Sequence, residues 1–205
     1  ESGRPFRRSP LYDRLKARGA WFGNKMGWER PNWFAGAGKT PDMQYGWGRG
    51  AWFDAVAAEH RATREAVSVV DETSFGKFMM QGRDAEKVLQ RLCANDVAVP
   101  VGRTVYTALL NDRGTFESDV TIARLARDKF MIVTGSAQVT RDADWIGRHT
   151  SEDAHVTLTD VTAAWTVLSV MGPRSRALLQ TVSRADFSNE AFPFASIREI
   201  GTGHA

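Results

Sequence analysis

The clearest periodicity in the chain is a two-residue alternation between Arg103 and Ala123. Val105, Thr107 and Leu109 alternate with Tyr106, Ala108 and Leu110, which predicts a strand rich in β-branched and aromatic side chains. Asn111-Asp112-Arg113-Gly114 follows, with Asn and Gly at the ends that a type I turn favours. A second strand starts at Thr115. Phe116, Ser118, Val120 and Ile122 share one face; Glu117, Asp119, Thr121 and Ala123 share the other. Asp119 is the odd residue, a carboxylate in mid-strand where Asp is disfavoured. On spacing alone it reads as a solvent-facing residue of a half-exposed strand.

The same reading extends along the chain. Ser9-Pro10 predicts a helix start, with Ser as N-cap and Pro at the first helical position, and Gly19 as its end. Gly27-Trp28-Glu29-Arg30-Pro31-Asn32-Trp33-Phe34 reads as a Pro-interrupted loop whose large rings must be buried. Residues 36–50 read as irregular. Trp52 to Val69 predicts a helix with Phe53, Val56, Ala57, His60 and Val67 on one side. The segment Val69 to Met80 turns into a strand. Gly82 and Arg83 precede a helix whose inward residues are Ala85, Val88, Leu89 and Leu92. Phe130 to Thr134 is a further strand, Ala137 to Arg148 a helix, and Val156–Asp160 and Ala164–Val170 strands. A faint repeat, offset by 90 residues, relates Phe78–Gln90 to Leu168–Gln180; each copy reads as strand, glycine, helix.

Composition narrows the function classes. At 205 residues, 42% hydrophobic and 25% charged, the chain is ordinary globular material. No apolar run reaches the roughly 18 residues needed to span a bilayer. The first ten residues lack the apolar core of a secretory signal. They also lack an initiator Met, which suggests a processed or excised chain. The single cysteine, Cys93, excludes an internal disulfide and a CxxC zinc site, and its apolar surroundings predict an inert buried thiol. Four histidines without paired spacing give no support to a metal site.

The net charge is +3, but residues 1–30 hold eight basic and three acidic side chains, leaving −2 for the rest. With no basic stripe and no RNA-binding aromatic motif, this reads as a solvated arm rather than a nucleic-acid surface. Gly36-Ala37-Gly38-Lys39-Thr40 resembles the end of a phosphate loop. Trp33 stands where that motif needs its first glycine, and Pro41 blocks the helix that would hold the phosphate, so it is rejected. Gly46-x-Gly48-x-Gly50 follows no strand and is not a dinucleotide fingerprint.

Asn111, Gly114, Thr115, Ser118 and Asp119, after a Tyr-bearing strand, resemble the central motif of the glycine-cleavage T-protein family of folate-dependent aminomethyltransferases. Ser-Pro-Leu at 9–11, the Gly27–Phe34 run, Glu59-His60-x-x-x-Arg64, Asp71-x-x-Ser74-Phe75-Gly76-Lys77-Phe78 and Ala94-Asn95-Asp96 occur in the expected order. The Gly27–Phe34 run and Ser118 are similar to the branch fused to dimethylglycine and sarcosine dehydrogenases.

The resemblance implies an α+β fold of mainly antiparallel sheets with flanking helices, T-protein-like and incomplete at its C-terminus. It implies a linker at 1–8, the N-terminal part of a folate-binding domain at 9–75, a compact subdomain at 76–150, and the start of a second sheet at 151–205. The implied activity is one-carbon transfer. An iminium or formaldehyde from a methylated amine is captured on tetrahydrofolate as 5,10-methylenetetrahydrofolate. FAD would sit in a flavin-dependent oxidoreductase domain of the same parent chain, outside these residues. Asp119 matches the family's catalytic aspartate, expected as a buried carboxylate that accepts the N10 hydrogen. Tyr106 matches a folate-lining tyrosine, and Phe75, Val133 and Thr134 are expected to line the same cavity. The implied partners are that domain and a small methylamine, with no nucleic acid, no membrane and no metal. The implied compartment is the bacterial cytoplasm or the mitochondrial matrix. A non-catalytic folate-binding or interaction module on the same fold is the alternative.

Overall fold

The computed structural model describes residues 3–36, 39–43 and 45–203. Ala37 and Gly38 of the rejected phosphate-loop look-alike lie outside the described residues. In chain order the elements are α1 (Tyr12–Ala17), β1 (Ala20–Lys25), β2 (Trp28–Phe34), α2 (Phe53–Glu65) and β3 (Ser68–Asp71). Next come β4 (Gly76–Gln81), α3 (Ala85–Leu92), β5 (Thr104–Leu110), β6 (Phe116–Ala126), β7 (Lys129–Thr134) and α4 (Val139–Arg148). Last are β8 (Thr157–Asp160), β9 (Leu168–Met171) and α5 (Ser175–Val182). They form two units: residues 1–74 with 166–184, and residues 75–165 with 185–205.

In the first unit β1 and β2 form an antiparallel hairpin, so the 27–34 run is a strand rather than a loop. Its turn is Met26-Gly27, both at positive φ (51° and 84°), the geometry of a two-residue hairpin connection. Pro31 sits inside β2 beside a register shift opposite Trp21 and Phe22, where an edge strand tolerates a missing N–H. Trp28 and Trp33 are both buried. The expected linker is tied down as well: the Arg7 N–H donates to the Gly27 carbonyl and the Glu29 N–H to the Arg7 carbonyl. Arg4 grips the buried Glu29 carboxylate with two bonds of 2.8 and 2.6 Å. The regular turns of α1 begin at Tyr12, two residues later than expected, but Ser9 still caps the entry: its hydroxyl oxygen accepts the Leu11 N–H at 3.2 Å, its carbonyl accepts the Tyr12 N–H, and the same hydroxyl donates to the buried Asp71 carboxylate. His60, expected at the edge of an apolar face, is exposed on α2. The predicted helix to Val69 stops at Glu65, because Ser68–Asp71 pairs with β9 instead.

The second unit is a five-stranded antiparallel sheet in the order β5-β6-β7-β4-β8. Alternation along its strands sends Phe78, Met80, Leu109, Val120, Ile122, Phe130 and Ile132 to one face. There they meet Ala85, Val88, Leu89 and Leu92 of α3 and Ile146 of α4. Each such side chain, fully buried, contributes about 1.5–3 kcal/mol. Two boundaries differ from expectation. Residues 151–165 do not begin a new sheet, since β8 adds to β4. Residues 185–205 return to this unit, where the Thr104 N–H donates to Ala195 and the Ile197 N–H to Gly102. The compact unit is therefore larger than 76–150. Phe116, placed by alternation with Ser118, is 61% exposed, because the β5–β6 ladder shifts register just before Ser118.

Candidate functional site

The Asn111 hairpin builds the site. Asn111 Oδ1 accepts from the Arg113 and Thr115 N–H groups, and Gly114, at φ 72°, closes the turn by donating to the Asn111 carbonyl. Asn111 Nδ2 donates to Thr115 Oγ1 and to Glu117 Oε1, 2.7 Å away. Glu117 Oε2 also accepts from Arg141 of α4 at 2.6 Å. The Asn111 amide first, and the Arg141 guanidinium second, hold the Glu117 carboxyl below its ordinary range.

Beyond the shift, Asp119 lies opposite Ala108, and Tyr106 lies opposite Thr121. Ala108 carries only a methyl group, so the tyrosine ring reaches diagonally to the carboxylate. The Tyr106 hydroxyl donates to Asp119 Oδ2 at 2.6 Å. This bond, more than desolvation or the nearby charge, raises the Tyr106 phenol pKa above its usual value. Both residues are exposed, so the expected buried carboxylate is instead open to an incoming ligand. The phenol thus fixes one oxygen of an exposed carboxylate.

The other expected lining residues divide. Val133 pairs with Thr121 and with Lys77, on the sheet face that carries Tyr106. Phe75 is half-buried in the turn that enters β4, next to Gly76, which pairs with Thr134. Thr134 itself points the other way: it is buried, and its hydroxyl donates to Asp142 Oδ2 at 2.5 Å. Neighbours on a strand face opposite sides, so Val133 and Thr134 cannot both offer side chains to one cavity. Lys77, a motif residue to which the sequence assigns no role, is almost fully buried in the Tyr106–Thr121–Val133 row, and Asp142, which no motif contains, is buried on α4.

Elsewhere, a groove of about 710 Å³ between the end of β2 and α2 contains none of these residues. The hairpin pair is the better candidate because it holds a polarised carboxylate in a fixed geometry. Burial pushes the Cys93 thiol up to about 12, which removes it as a nucleophile. Among the described residues no group of three or more His, Cys, Asp or Glu is placed to hold a metal, and no helix is long and apolar enough to cross a membrane.

Residues 11–205 match the GCVT N-terminal domain family. The chain is 42% identical to 4-methylaminobutanoate oxidase (formaldehyde-forming) of Paenarthrobacter nicotinovorans, covering 100% of this chain and 25% of that protein. It is 37% identical to the mitochondrial pyruvate dehydrogenase phosphatase regulatory subunit of Mus musculus, over 100% of this chain and 24% of that one. It is 34% identical to mitochondrial sarcosine dehydrogenase of Homo sapiens, over 99% and 26%. The chain thus spans about a quarter of the length of the curated relatives it matches. Glycine cleavage system aminomethyltransferase T from Bartonella henselae shares the fold, with a TM-score of 0.68 at 23% identity over 86% of this chain and 43% of that one.

Proposed function

The chain belongs to the GCVT N-terminal domain family, and from that premise we propose that it captures one-carbon units on tetrahydrofolate within a methylamine-oxidising flavoenzyme. The observation that carries the reading is the Tyr106–Asp119 pair, held at 2.6 Å on the exposed end of a strand face beside the Asn111–Gly114 turn. Tetrahydrofolate, when bound, supplies the nitrogen nucleophiles that take up carbon at the formaldehyde level. Asp119 accepts the proton released from the attacking nitrogen through the oxygen that Tyr106 leaves uncommitted, and its charge stabilises the cationic carbon centre. Tyr106 keeps the carboxylate in one rotamer. Phe75 and Val133 supply apolar walls. The amine would be oxidised on an FAD-bearing domain of the same parent chain. The relatives' names make 4-methylaminobutanoate and sarcosine the first amines to try. The compartment we infer is bacterial cytoplasm or mitochondrial matrix.

The test is Asp119→Asn in the full-length gene product, supplied with each amine and tetrahydrofolate. Amine oxidation should persist, while methylenetetrahydrofolate formation falls about 10²–10³-fold and released formaldehyde rises. Unchanged methylenetetrahydrofolate formation would sink the role of Asp119. One finding favours a second reading: the 37% identical mouse relative is named a phosphatase regulatory subunit. A non-catalytic folate-binding or interaction module would bind reduced folate, or a partner, with no methylenetetrahydrofolate formed by the wild type.

A further inference from the structure

We infer that Asp142 is the positioning residue that fixes which face of β6 presents Asp119. Asp142 lies on α4, 1% exposed, and its Oδ2 accepts both the Ser118 hydroxyl at 2.9 Å and the Thr134 hydroxyl at 2.5 Å. One carboxylate oxygen thereby clasps two neighbouring strands directly behind the Tyr106–Asp119 pair. Oδ1 is buried and takes no hydrogen bond among the described residues. A buried carboxylate with an unpartnered oxygen is costly, so the fold keeps it at the expense of stability.

The place where Asp142 acts explains what it does. The β5–β6 ladder shifts register between Leu109 and Leu110, so that Leu109 faces Ser118 while Leu110 faces Phe116. Glu117 is the extra residue. Buried Val120 and Ile122 fix the register of β6 beyond the bulge, but a bulge displaced past Ser118 and Asp119 would exchange the faces of those two residues. Such a displacement would turn Asp119 inward and Ser118 outward. Two consecutive residues of α4 prevent it: Arg141 grips Glu117 and Asp142 grips Ser118. An Asp at 118 would set two carboxylates against each other in a dry site. Serine supplies the donor that Asp142 needs.

This role rests on the proposed function of Asp119, so the experiment has one arm that needs no folate. In full-length protein with Tyr12→Phe and Tyr45→Phe, Tyr106 is the last tyrosine within this chain. Any tyrosines outside it are assigned by comparison with a Tyr106→Phe control. The ¹³Cζ NMR signal of labelled Tyr106 reports its hydrogen bond to Asp119, and Asp119→Asn defines the signal of the altered bond. D142L and S118A should move the Tyr106 signal toward the Asp119→Asn position. D142N retains an acceptor oxygen and should leave the signal near wild type.

In the methylenetetrahydrofolate assay, D142L and S118A should lower turnover roughly ten- to a hundredfold, as expected for misplacement near 1 Å. The KM for folate should change far less, and D142N should restore most of the rate. If D142L does not fold, S118A, which removes a single hydroxyl, decides the outcome. Wild-type signal and rate in S118A and D142L overturn the proposal, as does D142N as impaired as D142L. If Asp119→Asn itself leaves capture intact, the proposed function fails, and the NMR arm still tests the hold of Asp142 on Asp119.

Discussion

Two segments of this molecule share a local design and differ in what covers it. β4–Gly82–α3 and β9–Gly172–α5 are the two copies of the repeat offset by 90 residues. Each glycine has a positive φ, 141° and 125°, and each backbone lies against a carbonyl of another segment. A Cβ on Gly82 would fall 2.2 Å from the His155 carbonyl oxygen, and one on Gly172 would fall 2.4 Å from that of Ala66. Each glycine carbonyl accepts from the N–H three residues on, which opens the helix. Yet α3 buries Ala85, Val88, Leu89 and Leu92, whereas α5 buries none. β4 sits between two partners in a five-stranded sheet, whereas β9 pairs only with β3. Glycine sterics and one carbonyl are enough to set the backbone path; the number of flanking strands sets the burial.

The largest expected effect removes the shared device. Gly82→Ala should destabilise the five-stranded unit by about 2–6 kcal/mol, combining about 1–3 for left-handed strain with about 1–3 for overpacking against backbone. Gly172→Ala meets the same strain, but α5 has no buried residue to hold it in place, so the segment can shift and the loss should be smaller. Urea unfolding of the two variants checks this; equal losses would break the distinction between copies.

Next in size is the packing itself. Leu89 is 1% exposed and its repeat counterpart Leu179 is only half-buried. Leu89→Ala should cost about 2–5 kcal/mol, the range for a cavity in a filled core. Leu179→Ala should cost roughly a third of that or less, because its site is already open to solvent. Thermal unfolding of both variants sharpens the comparison, and a Leu179→Ala loss as large as that of Leu89→Ala would mean that α5 is covered in the folded protein.

The two copies also show what a sequence discloses. The α3 face was legible because Ala85, Val88, Leu89 and Leu92 repeat at helical spacing and nothing overrides it. The β5–β6 hairpin was legible because alternation and an Asn–Gly turn agree. Trp28 to Phe34 was not, since Pro31 hides a strand that tolerates it only beside an irregular register. The units were not, because residues 185–205 return to a sheet begun a hundred residues earlier. Asp119 and Tyr106 stand out by residue type and resemblance. Asp142 does not, because its partners Ser118 and Thr134, 24 and 8 residues away, lie on two different strands and meet it only when α4 covers β6 and β7.

The smallest expected effect separates the copies at a single position. Asp84 and Arg174 are equivalent in the repeat, each two residues after its glycine. Both backbone N–H groups point at the neighbouring carbonyl, Asp84 to His155 at 3.4 Å and Arg174 to Ala66 at 3.0 Å. Asp84 adds a second tie, since its Oδ2 accepts the His155 N–H at 2.7 Å. The counterpart of that N–H in the other copy belongs to Ala66, and it already donates to the Ala62 carbonyl at the end of α2, 2.8 Å away. An acceptor side chain at 174 would therefore find no donor. Asp84→Ala should cost about 1 kcal/mol, the net worth of one partly exposed hydrogen bond. Arg174→Asp should change stability by less than about 0.5 kcal/mol, as surface substitutions usually do. Measured by urea unfolding, a gain of 1 kcal/mol or more in Arg174→Asp would show that the Ala66 N–H is open to capture, and that the two copies are closer in design than their hydrogen bonds indicate.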